Sequence, residues 1–201
     1  MNAEKITRGQ QTRLEILQAA YDLFSQQGYH GTSMRQIAKM AHIALGGLYN
    51  HFDSKEDVFR EVFLEFHPYH EVLPAMLNAK GETIEEIVPD ALNSMLKALE
   101  GRPNYMNLVF IEIVEFKSTH VQELFENILP ELSQILQQVI IIDKKRLRSI
   151  PPFMLLRVFF GLFFGYYLSE ALFSPQAPRE FQDNAMDYFV DIFLHGALKE
   201  A

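Results

Sequence analysis

The chain has 201 residues, 48% of them hydrophobic and 22% charged, with a net charge of -8 and neither cysteine nor tryptophan. That is enough chain to bury a substantial core as one domain or two small ones. The lack of cysteine excludes a disulfide framework, a thiolate zinc site and a cysteine nucleophile, and the opening MNAEKITRGQQTR has no apolar run of the signal-peptide kind, so a soluble cytoplasmic protein is expected.

The charge is unevenly placed. Residues 1–55 carry six basic side chains (Lys5, Arg8, Arg13, Arg35, Lys39, Lys55) against four acidic ones, a net +2 that leaves -10 on residues 56–201. A small nucleic-acid-binding part on an acidic body has this asymmetry.

In chain order, a loose arm precedes a helix over about 10–27, with Leu14, Leu17, Ala20, Tyr21 and Phe24 inward and Gly28 as its stop. Residues 33–55 follow as SMRQIAKMAHIALGGLYNHFDSK. Ser33 and Gln36 form a capping-box pair that marks a second helix start. Met34, Ile37, Ala38 and Ala41 fall on its inner face, and Arg35, Gln36 and Lys39 stay outside. A tight turn at Ala41, His42 and Ile43 leads to a short third helix anchored by Leu48 and Phe52, with Leu45, Gly46, Gly47, Tyr49, Asn50 and His51 outward. Two helices flanking such a turn have the layout of a DNA-reading helix-turn-helix. Ser54 caps a fourth helix over 54–67, Glu56 and Asp57 favour its positive end, and Pro68 ends it.

This stretch resembles the DNA-binding region of the TetR/AcrR family of bacterial transcription regulators. Matches to the family pattern fall at Thr32, Ser33, Ile37, Ala38, Ala41, Ile43, Ala44, Gly46, Leu48, Tyr49, His51, Phe52, Ser54 and Lys55, and with the preceding helix the likeness covers about residues 10–65. The resemblance implies that Tyr49, His51 and Lys55 clamp phosphates, together with the amide ends at Ser33 and Ser54. By chemistry, Arg35 suits a guanine, Asn50 an adenine or phosphate, and Leu45 a thymine methyl. Two departures stand out. His42 replaces the usual turn glycine at a position expected to need a left-handed backbone. Gly47 replaces the usual Thr, Ala or Ser, so that Gly46 and Gly47 weaken the recognition helix by roughly 1 kcal/mol each while permitting close approach to DNA.

The rest of the chain reads as a second helical bundle, with helices near 70–79, 83–100, 103–117, 119–140, 152–173 and 178–199, and a kink or break where Pro89 and Pro130 fall inside two of them. The expectation is therefore an all-α protein: an N-terminal three-helix domain, residues 1–55, then an effector-binding and dimerisation domain, 56–201, with the fourth helix as connector. The most apolar stretch, Val158–Leu168, is shorter than the roughly 20 residues that span a bilayer, and no membrane association is expected. The resemblance implies that the last two helices pair with a second copy, and the apolar positions available are Phe160, Phe164, Tyr167, Phe181, Met186, Phe189, Val190, Phe193 and Leu194. Dimerisation doubles the base contacts and matches a palindromic double-stranded operator.

An effector pocket is expected among Met76, Met95, Tyr105, Met106, Phe110, Glu112, Phe116, Arg157, Phe163 and Tyr166, set against the plainer reading of each as ordinary core. Glu112, within LVFIEIVEF, needs a partner if enclosed, and Arg157 is the candidate; failing that, Glu112 would anchor a ligand. His67, His70 and Glu71 read as loop rather than metal site, and Lys144, Lys145, Arg146 and Arg148 as a solvated loop. No cofactor, metal or catalytic residue is expected. The expected function is a ligand-responsive repressor released from its operator by a small apolar or aromatic effector. An activator or corepressed regulator of the same fold is the alternative, and an all-α ligand carrier a remote one.

Overall fold

The computed structural model describes residues 7–100, 102, 104–143, 147–173, 177–179 and 183–197. Among them there are helices and no β-strand: α1 (Arg8–Gly31), α2 (Met34–Met40), α3 (Leu45–Tyr49), α4 (Lys55–Phe66), α5 (Tyr69–Leu77), α6 (Ile84–Glu100), α7 (Tyr105–Glu115), α8 (Val121–Asp143), α9 (Pro152–Phe173) and α10 (Ala185–Ala197). Two compact units result. The first holds Met1–Tyr69 and Leu99–Ile128, the second His70–Ala98 and Leu129–Ala201. The helix-turn-helix unit is thus larger than residues 1–55, because α7 and the start of α8 pack into it.

In the first unit, Thr7 caps α1 in a full capping box with Gln10. Gly28, at φ 74°, breaks the helix where a stop was expected, and one further turn follows. The buried stripe of α1 is Ile16, Leu17, Ala20 and Phe24. Leu14, expected inward, is 40% exposed, because at 100° per residue it falls on the flank of that stripe. Val58, Phe59, Val62 and Phe63 of α4 are buried, with Leu108 of α7 and Leu124 of α8 in the same core. Phe59 sits among Phe24, Tyr29 and Phe116 at centroid distances of 5.4, 5.8 and 4.7 Å.

The second unit is built from the remaining helices. Pro89 and Pro130 do not break α6 or α8, each of which runs on as one helix through its proline. Phe193 and Phe189 of α10 pack on Phe159 and Tyr166 of α9, with the Phe189 ring 3.7 Å from where a Cβ on Gly165 would stand. Over its full length α9 reaches the length and apolarity of a membrane span, although its most apolar core is short.

Candidate nucleic-acid interface

Ser33 starts α2 as its sequence spacing predicts. Its hydroxyl accepts from the Gln36 amide at 3.3 Å, and Gln36 Oε1 accepts from the Ser33 amide at 2.9 Å. Gln36, expected at DNA, is therefore folded back on the cap through its carbonyl oxygen, because that oxygen satisfies the otherwise open amide of Ser33.

The turn closes α2 as a Schellman motif: the Ile43 amide donates to Ala38 O at 3.0 Å and the His42 amide to Lys39 O at 3.2 Å. His42 takes the left-handed position, at φ 56°. Ile37, Ala38, Ala41, Leu48 and Phe52 are buried, so α2 and α3 are locked together by one apolar seam. Leu45 is half-buried against that seam. Arg35, Lys39, Gly46, Tyr49 and Asn50 remain exposed, with Tyr49 at 50%. A Cβ on Gly46 or Gly47 would meet nothing within 4 Å, so neither glycine is required by packing.

Two cations hold this frame. Lys55, expected at a phosphate, donates to Tyr29 O at 2.8 Å and Thr32 O at 2.9 Å. These carbonyls close the end of α1, and a nearby ammonium is their natural partner. Burial pushes the Lys55 pKa below its ordinary value, against the pull of the Glu115 carboxylate. Arg13, which sequence reasoning passed over, donates to His51 O at 2.9 Å, pairs with Glu61 at 2.6 Å and lies 4.2 Å from the centre of the Phe52 ring. The signal was present: Arg13 stands one turn before Leu17 on the buried stripe, where a cation needs partners. His51, half-buried, is tied to α1 through its carbonyl.

Further along the same unit, Arg60 of α4 makes a two-pronged pair with Glu123 of α8. Asn107 of α7 donates to Ser25 O at 3.0 Å, and His30 meets Glu115 at 2.6 Å. Glu112, 1% exposed, accepts from the His120 amide at 2.7 Å and from His120 Nδ1 at 2.8 Å. Arg157 is exposed. The expected Glu112–Arg157 pair is thus replaced by a Glu112–His120 pair, in which the carboxylate satisfies an amide at the start of α8.

The matching architecture has relatives. A profile of bacterial regulatory proteins of the tetR family matches residues 16–62, which are α1 from Ile16 through most of α4. The HTH-type transcriptional regulator UidR of Escherichia coli K12 is 44% identical over 59 residues, 29% of this chain and 30% of UidR. Residues 16–62 form a TetR-family DNA-binding region. The HTH-type transcriptional repressor KstR2 of Rhodococcus jostii is 32% identical over 117 residues, covering 56% of this chain and 57% of that repressor. The alignments therefore span about half or less of the length of these curated relatives. A TetR-family regulator structure from Mesorhizobium loti covers 96% of this chain and 100% of its own, at 22% identity and a TM-score of 0.71, which shows the shared fold.

The second unit holds an apolar cavity of about 80 Å³. Met76, then Ile84, Ile87, Val88 and Ala91 of α6 form one wall; Ile135, Leu136 and Val139 of α8 another. Leu147, Leu155, Leu156, Phe159 and Phe193 complete it. Of the expected effector residues only Met76 lines this cavity. Tyr105, Met106, Phe110, Glu112 and Phe116 belong to the first unit, since α7 packs on α1 and α4. Met95 and Phe163 are buried, and Tyr166 packs on Phe189.

The dimer positions divide similarly. Val190 is buried within its own protomer, and Phe189 and Phe193 face α9. Phe160, Phe164, Tyr167, Met186 and Leu194 are half-buried. Exposed outside them are Val158, Leu172, Tyr188 and Ile192. Phe181 and the Lys144–Arg146 run lie outside the described residues, whereas Arg148 donates to Gly196 O at 2.9 Å.

Proposed function

We propose that this chain is a homodimeric, ligand-responsive transcription regulator that represses by occupying a palindromic operator. The observation that carries the reading is the face of α2 and α3: Arg35, Lys39, Tyr49 and Asn50 are exposed while Ile37, Ala38, Leu48 and Phe52 fix the two helices to the unit's core. Arg35 and Asn50 read base edges, and Tyr49 holds a phosphate. Such a protein works in the cytoplasm, where its DNA is.

One recognition helix of five residues makes few base contacts, and pairing two protomers doubles them at half-sites about one DNA turn apart. Val158 and Leu172 on α9, with Tyr188 and Ile192 on α10, are apolar and uncovered, and a second copy is their proposed partner. That pairing also accounts for the apolar length of α9 without a bilayer.

The cavity of the second unit is the proposed effector site, and the ligand selects a dimer geometry that no longer fits both half-sites. A 100-fold loss of operator affinity requires about 2.7 kcal/mol of coupling.

The test is selection of DNA from a random pool, followed by titration of the enriched site. One enriched palindrome, bound by a dimer and lost with Tyr49→Ala, supports the reading. A pool that stays random at low salt overturns it.

A further inference from the structure

We propose that the cavity of the second unit takes a flexible aliphatic chain, with the polar end of the ligand left at the mouth. The inference rests on reading this cavity as the effector site, and narrows the ligand from apolar or aromatic compounds to alkyl chains.

The lining decides the chemistry. Among the described residues it consists only of Ala, Val, Ile, Leu, Met and Phe side chains, none of which offers a hydrogen bond of ordinary strength. A charge or donor carried to the cavity floor would lose its water and gain no partner, which excludes cationic and polyhydroxylated bodies. Shape narrows the class further. The α6 and α8 walls are branched aliphatics such as Ile84, Ile87, Ile135 and Leu136, which give a rounded surface rather than a flat slot for fused rings. The rings present, Phe159 and Phe193, meet edge to face at 5.9 Å and 70°, so the edge of one already covers a face of the other and the two do not form parallel walls. A chain that bends at each methylene follows such walls, and the thioether of Met76 adapts to it.

The experiment is calorimetric titration of the full chain with hexanol, octanol, decanol and dodecanol, with ethidium as the aromatic cation. Affinity is expected to rise about fourfold per added methylene and to level off once the tail outgrows the cavity. Ethidium is expected to bind more weakly than decanol. Ala91→Phe, which fills the α6 wall, should weaken decanol binding about tenfold or more. Leu136→Ala, which enlarges the opposite wall, should move the plateau to a longer chain and carries the test if Ala91→Phe does not fold. Affinity independent of chain length, ethidium binding tighter than decanol, or a folded Ala91→Phe with wild-type decanol affinity would each overturn the proposal. Operator binding is measured separately on the same samples. Alkanols that bind with the expected slope yet leave the operator complex intact support the cavity chemistry and overturn only its regulatory role.

Discussion

The Lys55 ammonium lies 4.0 Å from the centre of the Tyr29 ring and donates to the Tyr29 carbonyl at 2.8 Å. A cation placed on the DNA side by sequence pattern is thereby engaged with the end of α1. Lys55→Met keeps the stem and removes the charge. Losing two charge-assisted hydrogen bonds should lower stability by about 2 kcal/mol. A phosphate contact would also lower the salt slope of operator binding by about one per site lost. For a capping lysine the slope stays at the wild-type value, and gel shifts over a salt series read the difference.

His42 sets up a second test. It occupies the left-handed corner of the turn at φ 56°, a conformation that costs an L-residue roughly 1–2 kcal/mol. Glycine adopts it freely but gives back about 0.5–1 kcal/mol in chain entropy. His42→Gly should therefore raise stability by about 0.5 kcal/mol, visible as a higher urea midpoint. A lower midpoint would mean that the imidazole makes a contact worth more than the strain.

Gly47 reads in the opposite sense. Its place is open in the free protein, so Gly47→Ala should firm α3 by about 1 kcal/mol. If α3 orders on DNA, the same change tightens operator binding up to about fivefold. Weaker binding by the alanine variant would show instead that the DNA backbone comes close enough to exclude a methyl group.

What the sequence conveyed was local. The capping box at Ser33, the cap at Ser54, the left-handed His42 and the stop at Gly28 are each decided by neighbours within four residues, and each stands in the structure as read. What it did not convey was long-range. Nothing local says that α7 joins the DNA-binding unit, and that membership placed Tyr105, Met106 and Phe116 away from the cavity. Met76 was found by residue type, but the Ile, Val and Leu side chains that line the cavity look in sequence like any core.

Three tyrosines fix an alkaline limit. Burial raises the pKa of Tyr21, Tyr29 and Tyr166, with Glu56 and Glu115 adding to the shift at Tyr29. The folded chain holds these protons to higher pH than the unfolded chain. Their stabilisation is complete below the ordinary tyrosine value of 10.0 and is lost as pH rises through the folded values. Lys55 acts in the opposite direction, since its lowered pKa makes stability rise as pH approaches 10.5. These tyrosines should pull urea midpoints down above about pH 10, and Tyr29→Phe should weaken that pull. A Tyr29→Phe variant with the wild-type pH dependence would contradict the role given to Tyr29.

Glu112 separates a structural role from a ligand-binding one. Its carboxylate holds both the amide and the Nδ1 of His120 beneath the rings of Phe116 and Phe59. Glu112→Ala leaves two buried donors without an acceptor and should cost about 3 kcal/mol. Glu112→Gln keeps one acceptor oxygen and should cost about 1 kcal/mol. Because Glu112 belongs to the first unit, decanol affinity should match wild type in the glutamine variant. A tenfold drop in that affinity with an unchanged melting curve would instead make Glu112 a ligand anchor, as the position of a carboxylate amid the apolar side chains of LVFIEIVEF first suggested.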